Sequence, residues 1–398
     1  MNLPLRSPWD VTHQTSLQGL GVHARQRVWT INGDFVGFEA TGVARHGREV
    51  VAAMDALIDE GHPLTEGLAL RMLVPRLPSG FIPLRHVEAD VLPEWRPRLP
   101  QVWVQLQLPR HVSGGLVSFG NLAPIGATRH IACVHDAQTF VVPDSYSRMF
   151  RAAHRLILPR LGRSAAVITT VSHHSKEQLT RLGIARPDKV AVVPNGADHV
   201  RRWNPLRASR DWRRPRPFAL GLARSQAHKN PELFARLAEP LDRLGVDLVL
   251  FGDVDRAVFG EDAGARLRNL HLVGRLGDDD VAAALGQALC FLLPSRTEGF
   301  GLPAVEAMAL GCPVLASSAP ALPEVCGDAA LYADPDDVDG WVAAVQGLAR
   351  DEPRRAELVA RGRARAALFS WRRTAEAYLR LMARIDERDD DGHTGRDP

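Results

Sequence analysis

Residues 288–311, ALCFLLPSRTEGFGLPAVEAMALG, decide how this chain is read. The first six are apolar without alternation, the pattern of a parallel strand covered on both faces. Pro294 ends the run, and Gly299 and Gly301 precede a second apolar stretch that starts at Leu302. Pro303 suits the first turn of a helix and Gly311 its end. A buried strand feeding a helix through a glycine turn is the unit of a doubly wound α/β sheet, which binds ligands at the carboxyl ends of its strands. Glu298 lies on that turn and Glu306 one turn into the helix. A helix start is an anion site. Carboxylates set for hydroxyls beside N–H groups set for phosphate describe a sugar-nucleotide pocket.

The same alternation extends outward in two blocks. Runs at 27–33, 69–74, 101–106, 115–119, 130–134, 165–171 and 189–193 predict strands, with helices at 42–54, 147–161 and 175–182. A second series places strands at 218–221, 247–252, 270–273, 288–293 and 313–316, with helices at 231–244 and 280–288. This predicts an α/β protein of two Rossmann-like, doubly wound domains facing across a cleft, the number that 398 residues suit. The N-terminal domain spans 27–200. A basic, proline-bearing linker occupies 201–216, and the C-terminal domain spans 217–369. Helical patterns continue through 338–366 and 370–385, with Ser370 as the N-cap of the last helix. Residues 1–26 form an N-terminal extension without the apolar stretch of a secretory signal, and the charged segment 386–398 reads as a disordered tail.

Composition narrows the classes. No apolar run is long enough to span a bilayer, so any membrane contact is peripheral. Cys133, Cys290, Cys312 and Cys326 are scattered without metal-ligand spacing, which points to buried thiols in a reducing cytoplasm. The net charge of +3 divides unevenly: +5 over 1–200, +6 over 201–216 and −8 beyond. A basic first half suits an anionic surface or substrate, and compositional drift in an arginine-rich chain is the other reading. Aromatics at 6% are too sparse for a nucleic-acid stacking platform. A nicotinamide cofactor lacks its GxGxxG fingerprint.

Several residues stand out as carriers of chemistry. Lys229 is one of three lysines among 49 cations, set after the first strand of the second domain where a helix begins at Asn230-Pro231. An ammonium there reaches a diphosphate, with Arg224 as a second cation. His135 and Asp136 end a strand of the first domain, and Gly42 admits close backbone approach at its first strand-to-helix turn. Asp278, Asp279 and Asp280 read as an acidic first helical turn rather than a metal site. No His or Cys spacing marks a metal, and none is expected.

Together these segments resemble the retaining glycosyltransferases of glycosyltransferase family 4, of the type that assembles bacterial polysaccharides. Glu298 to Glu306 is similar to the family's E-x7-E motif, and Arg224 and Lys229 to its phosphate-binding cations. VVPNGAD at 192–198 resembles its interdomain signature, and Val171-Ser172-His173-His174-Ser175 its serine turn. Asn121-Leu122-Ala123-Pro124, His135-Asp136 and the TGVAR of 41–45 are similar to pieces of the first domain. His46 departs from the pattern by standing where an aromatic is common. The resemblance covers about residues 27–385 and implies a GT-B fold whose C-terminal helix crosses back to the first domain.

It also implies roles. Glu306 takes ribose hydroxyls and Glu298 a donor-sugar hydroxyl. Gly299 and the backbone N–H groups of Phe300, Gly301 and Leu302 line sugar and phosphate, and Arg275 lies where the base is received. Arg224 and Lys229 stabilise the leaving diphosphate, His135 lies near the anomeric carbon, and Gly42, Arg45 and Asp136 fall on the acceptor side. The implied activity is metal-independent, cofactor-free transfer of a hexose from a nucleoside-diphosphate sugar to a saccharide acceptor, lipid-linked, on the cytoplasmic face of the membrane. A sugar-nucleotide epimerase or hydrolase on the same fold, and a non-catalytic sugar-nucleotide-binding protein, are the competing readings.

Overall fold

The computed structural model describes residues 26–37, 41–79, 81–95, 100–260 and 268–394; the extension at 1–25 and the final four residues lie outside them. The chain divides into two compact units. Among the described residues, the N-terminal unit takes the chain from 26 up to Phe140, then Arg148–Gly196, and Trp371 onward; the C-terminal unit takes Val141–Ser147 and Ala197–Ser370.

Seven parallel strands form the N-terminal sheet: β1 (Arg27–Asn32), β2 (Leu68–Val74), β3 (Glu88–Val91), β4 (Gly115–Ser118), β5 (His130–Cys133), β6 (Val167–Thr170) and β7 (Val190–Val192). Their order is β3-β2-β1-β4-β5-β6-β7, so the direction of winding reverses between β1 and β4. Neighbouring loops diverge at such a point and leave room for a ligand. Helix α1 (Gly42–Asp59) starts on Thr41, whose hydroxyl accepts the Ala44 N–H at 3.2 Å. Its buried stripe of Val50, Met54 and Leu57 packs in one core with Trp29 and Ile31 of β1. Each such side chain contributes about 1.5–3 kcal/mol on burial. Helices α2 (Arg148–Ser164) and α3 (His173–Arg181) follow, the latter capped by Ser172.

The strand expected at 101–106 is helical instead, running from Pro100–Val102 into a wide turn at Trp103–Gln107. The β-branched and aromatic run Val102-Trp103-Val104 there is misleading. Trp103, Val104, Gln107 and Leu108 are the buried set, a helical spacing. The Trp103 indole N–H donates to the Leu92 carbonyl at 2.7 Å, and the Gln107 amide donates to that of Pro93 at 3.0 Å. A polar side chain buried for its hydrogen bonds broke the pattern.

The C-terminal sheet holds β8 (Phe218–Arg224), β9 (Asp247–Asp253), β10 (Leu270–Gly274), β11 (Cys290–Leu293), β12 (Val314–Ser317) and β13 (Ala330–Ala333), all parallel, in the order β10-β9-β8-β11-β12-β13. Winding reverses between β8 and β11. Helices α4 (Pro231–Arg243), α5 (Asp278–Gln287), α6 (Leu302–Ala309), α7 (Val338–Arg350) and α8 (Glu352–Ala366) belong to the unit. Phe234, Leu237 and Leu241 of α4 and Trp341 of α7 share its core with Leu248 and Leu250. All four residues of β11 are buried, as the uninterrupted apolar run requires.

Two segments differ from expectation. The stretch 201–216 is not a free linker, because Asp279 and Asp280 at the start of α5 hold it down. The Asn204 N–H donates to Asp279 at 2.7 Å, the Ser209 hydroxyl to Asp280 at 2.8 Å, and the Trp212 indole to Asp280 at 3.2 Å. The acidic first turn of α5 is therefore an anchor as well as a helix start. The segment from 386 is also not a disordered tail over its described part. Helix α9 runs from Trp371 to Thr394 within the N-terminal unit, placing Tyr378 and Met382 in the α1 core. Asp386 accepts the Trp29 indole N–H at 3.0 Å and pairs with Arg27 at 2.6 Å and with Arg129. Three donors from the sheet offset the charge density that made this segment look unfoldable.

Candidate active site

The reversal point of the C-terminal sheet collects most of the predicted donor residues. Two loops meet there, one after β8 and one after β11, and Asn230 joins them. This is the only non-glycine residue with positive φ, at 56°, among the described residues. Asparagine tolerates that backbone because its short amide finds local partners. Here the amide donates to the carbonyls of Pro294 at 3.2 Å and Pro335 at 2.8 Å. The Arg296 backbone N–H also donates to the His228 carbonyl at 2.8 Å. The β8 loop is thus tied to the β11 loop by the Asn230 amide and by a backbone hydrogen bond.

That tie brings Lys229 to Glu298. The ammonium donates to Glu298 Oε1 at 2.7 Å, and the Ser295 hydroxyl donates to the same oxygen at 2.7 Å. Glu298 is 9% exposed and the Lys229 side chain 26%. The sequence reading assigned these residues to separate parts of a ligand; the fold makes them one ion pair with an accessible cationic side. Burial and the adjacent Lys229 charge push His228 down to about 4, leaving it neutral.

Gly301 lies just before α6 at φ 87°, where any Cβ would come within 2.4 Å of the Leu322 side chain. Only glycine fits that left-handed turn. Phe300 is buried and meets Phe369 edge to face at 5.4 Å, so its side chain supports the turn. Leu302 opens the helix with Pro303 behind it. Glu306 projects from the second turn, and its Oε1 accepts the Nε2–H of His199 at 2.9 Å. His199 is fully buried, with Trp203 against its ring at 5.3 Å. The sequence reading missed His199, although it directly follows the 192–198 motif.

Arg224 is the last residue of β8 rather than part of a loop, half-buried, and its side chain makes no hydrogen bond or ion pair among the described residues. Arg275 donates to Asp253 at 2.8 Å, and this bond holds the Asp253 carboxyl below its usual range, helped by the charge of Arg224. The two arginines therefore flank one carboxylate, while Lys229 has another.

The N-terminal unit carries the remaining candidates. His135 follows β5; its N–H donates to Asn121 Oδ1 at 2.8 Å and its Nε2–H to the Phe119 carbonyl at 2.8 Å. His46, Cys133 and His135 offer ligand atoms within 4.8 Å of one another. Both ring nitrogens of His46 are engaged, by Asn195 at 2.7 Å and Tyr378 at 3.2 Å. Cys133 and His135 make a thiol–imidazole pair. Burial opposes charge on His135, and the Cys133 sulfur outweighs it, raising the ring to about 9. The departure at His46 is explained as well: the imidazole fills an aromatic slot while bonding at both ends. Asp136 accepts the Gln138 N–H at 3.1 Å and so starts the short helix Gln138–Val141. Gly42 opens α1 with nothing within 4 Å of where a Cβ would lie, and Arg45 is half-buried one turn on.

Two all-parallel doubly wound units, one bearing a cation–carboxylate pair beside a helix start, define a GT-B glycosyltransferase. Comparison with known proteins makes this specific. Residues 40–201 match the model of Glycosyltransferase Family 4, and residues 204–365 that of Glycosyl transferases group 1. The chain is 30% identical over 283 residues to O-antigen chain mannosyltransferase B of Escherichia coli, covering 64% of this chain and 71% of that one. It is 24% identical over 247 residues to O-antigen chain mannosyltransferase RfbU of Salmonella typhimurium, covering 58% and 67%. Among solved structures, sucrose-phosphate synthase of Thermosynechococcus elongatus superposes with a TM-score of 0.72 at 19% identity, over 91% of this chain and all of that one. The chain belongs to glycosyltransferase family 4.

Proposed function

We propose that this glycosyltransferase moves a hexose, mannose first among candidates, from a nucleoside-diphosphate sugar to a saccharide acceptor with retention and without a metal. The observation that carries the reading is the Lys229–Glu298 pair at the β8/β11 reversal point, with Glu306 on the adjoining helix. Glu306, oriented by His199, takes the ribose hydroxyls. Glu298 takes a hydroxyl of the donor sugar through the lone pairs that Lys229 and Ser295 leave. As the glycosidic bond breaks, negative charge grows on the diphosphate, and the Lys229 ammonium and Arg224 guanidinium stabilise it. Preorganised cations of this kind supply what a bound divalent ion would otherwise supply. Glu298 is no nucleophile, since one oxygen is already committed to two donors. The acceptor attacks on the face the diphosphate leaves, and the diphosphate oxygen takes its proton.

The two O-antigen chain mannosyltransferases support a growing glycan chain as acceptor. Helix α2 supports action at a membrane face. It carries Arg148, Arg151, Arg155, Arg160 and Arg163 and no acidic residue. Met149 and Leu156 lie on its outer face at 83% and 54% exposure. Arginines around an apolar ridge suit an anionic lipid surface. No helix of the described residues is long and apolar enough to cross a membrane.

The test is release of nucleoside diphosphate from a donor panel, with and without a glycolipid extract and with EDTA throughout, followed by NMR of the product's anomeric centre. Retained configuration and EDTA-insensitive, acceptor-dependent release are expected. Inversion, or loss of activity restored by a divalent ion, refutes the mechanism.

A further inference from the structure

The N-terminal sheet has a reversal point of its own, between β1 and β4. Asp34 opens the short turn Asp34–Gly37 directly after β1, and Gly120 stands two residues after β4. The strands are hydrogen-bonded neighbours, with Asn32 beside Ser118, so both residues leave adjacent strand ends at the place where the winding reverses. Phe35 and Phe119 form the buried floor beneath them, edge to face at 5.9 Å.

Asp34, Gly120 and Asn121 are each half-exposed. A Cβ at Gly120 would meet only the Asp34 carboxyl, Oδ1 at 3.9 Å and Oδ2 at 4.0 Å, so the carboxyl faces the open side of the glycine. Asp34 Oδ1 is buried and has no hydrogen-bond partner among the described residues. Buried carboxylate oxygens are normally satisfied, and an unsatisfied one calls for an explanation. Burial raises this carboxyl to about 7, with the Phe35 N–H and Asn32 pulling the other way. One strand further along, Asn121 holds the His135 N–H. Asp34, Asn121 and His135 thus cross the ends of β1, β4 and β5 as a row of polar groups.

We infer that Asp34 and the opening at Gly120 form a subsite that takes a hydroxyl of the acceptor saccharide. The inference rests on the glycosyl-transfer reading above. A carboxyl repels phosphate, and among the described residues Asp34 belongs to no cluster of metal-ligating side chains. A neutral hydroxyl donates to it at little electrostatic cost, and glycine leaves space for a sugar ring against the backbone.

The experiment uses the full chain, GDP-mannose and UDP-glucose as donors, and a panel of methyl hexosides as acceptors. Asp34→Ala should raise the acceptor KM about tenfold or more, while donor KM and the slow release of nucleoside diphosphate to water stay within about twofold. Asp34→Asn keeps one acceptor oxygen and should recover most of the loss. Gly120→Val fills the opening while leaving the Asp34 carboxyl chemically intact and should also raise the acceptor KM, which covers the case of an unstable Asp34 variant. An acceptor KM unchanged in both Asp34→Ala and Gly120→Val overturns the subsite. So does a loss of water-driven donor cleavage as large as the loss of transfer. A wild-type chain that cleaves no donor at all instead overturns the transfer reading, and the subsite with it.

Discussion

Removing the ammonium from Lys229 tests whether the pair with Glu298 serves the leaving group or merely the fold. At 2.7 Å, two unit charges attract by about 6 kcal/mol at an effective dielectric of about 20. Desolvating Glu298, which is 9% exposed, consumes most of that. Lys229→Met leaves Glu298 with the Ser295 hydroxyl and should cost about 2–3 kcal/mol, less than for a fully buried pair because Lys229 reaches solvent. Glu298→Gln should cost about 1 kcal/mol. The double variant should recover part of the difference, with a coupling of about 1–3 kcal/mol in the cycle. Activity should behave differently. Loss of one preorganised group at the developing charge lowers kcat by about 10²–10³-fold, and the double variant should not recover it. Thermal melts and nucleoside diphosphate release on the same four proteins give both numbers. Stabilities that add within about 0.3 kcal/mol would show that the pair is uncoupled. A Lys229→Met protein within threefold of wild-type turnover would remove the cation from the mechanism.

Three further outcomes follow from the geometry. His199→Phe keeps the ring volume against Trp203 but takes the donor from Glu306, so donor KM should rise about fivefold or more with little change in kcat; an equal fall in kcat would mean that His199 does more than orient Glu306. Asp34 is raised from 3.8 to about 7, so the folded state holds a proton that the unfolded state releases, and stability falls as pH rises between those values. Asp34→Asn should therefore stabilise by about 1–2 kcal/mol at pH 8, discounted for its partial exposure, and not at pH 4; equal effects at both pH values in urea melts would refute the burial of this carboxyl. Paired Arg155→Glu and Arg160→Glu changes on α2 should release the protein from anionic vesicles, with wild-type binding weakening as salt rises. Salt-insensitive pelleting of both proteins would exclude this helix as the contact.

Much of the fold was legible because parallel strands buried on both faces leave long apolar runs, as at 288–293 and 247–252. The failures came where side-chain hydrogen bonds overrode the pattern. Gln107 is buried for its amide contacts and joins Trp103, Val104 and Leu108 at a helical spacing, a polar member of the buried set that hid the helix. Asp386 reads locally as part of a solvated acidic tail, yet it is held by Trp29, Arg27 and Arg129 from across the unit.

The sequence by itself determined the two-fold strand–helix alternation, the glycine turn before Leu302, and the residue types at the candidate site, because each depends on spacing within about a dozen residues. Tertiary structure alone decided which of them meet. Lys229 reaches Glu298 across 69 positions and His199 reaches Glu306 across 107, through a strand order that puts β8 beside β11. Asp34 became notable only when β1 was placed beside β4. Local periodicity carries burial and direction but not strand order, and in a doubly wound sheet the strand order selects which loops share a site.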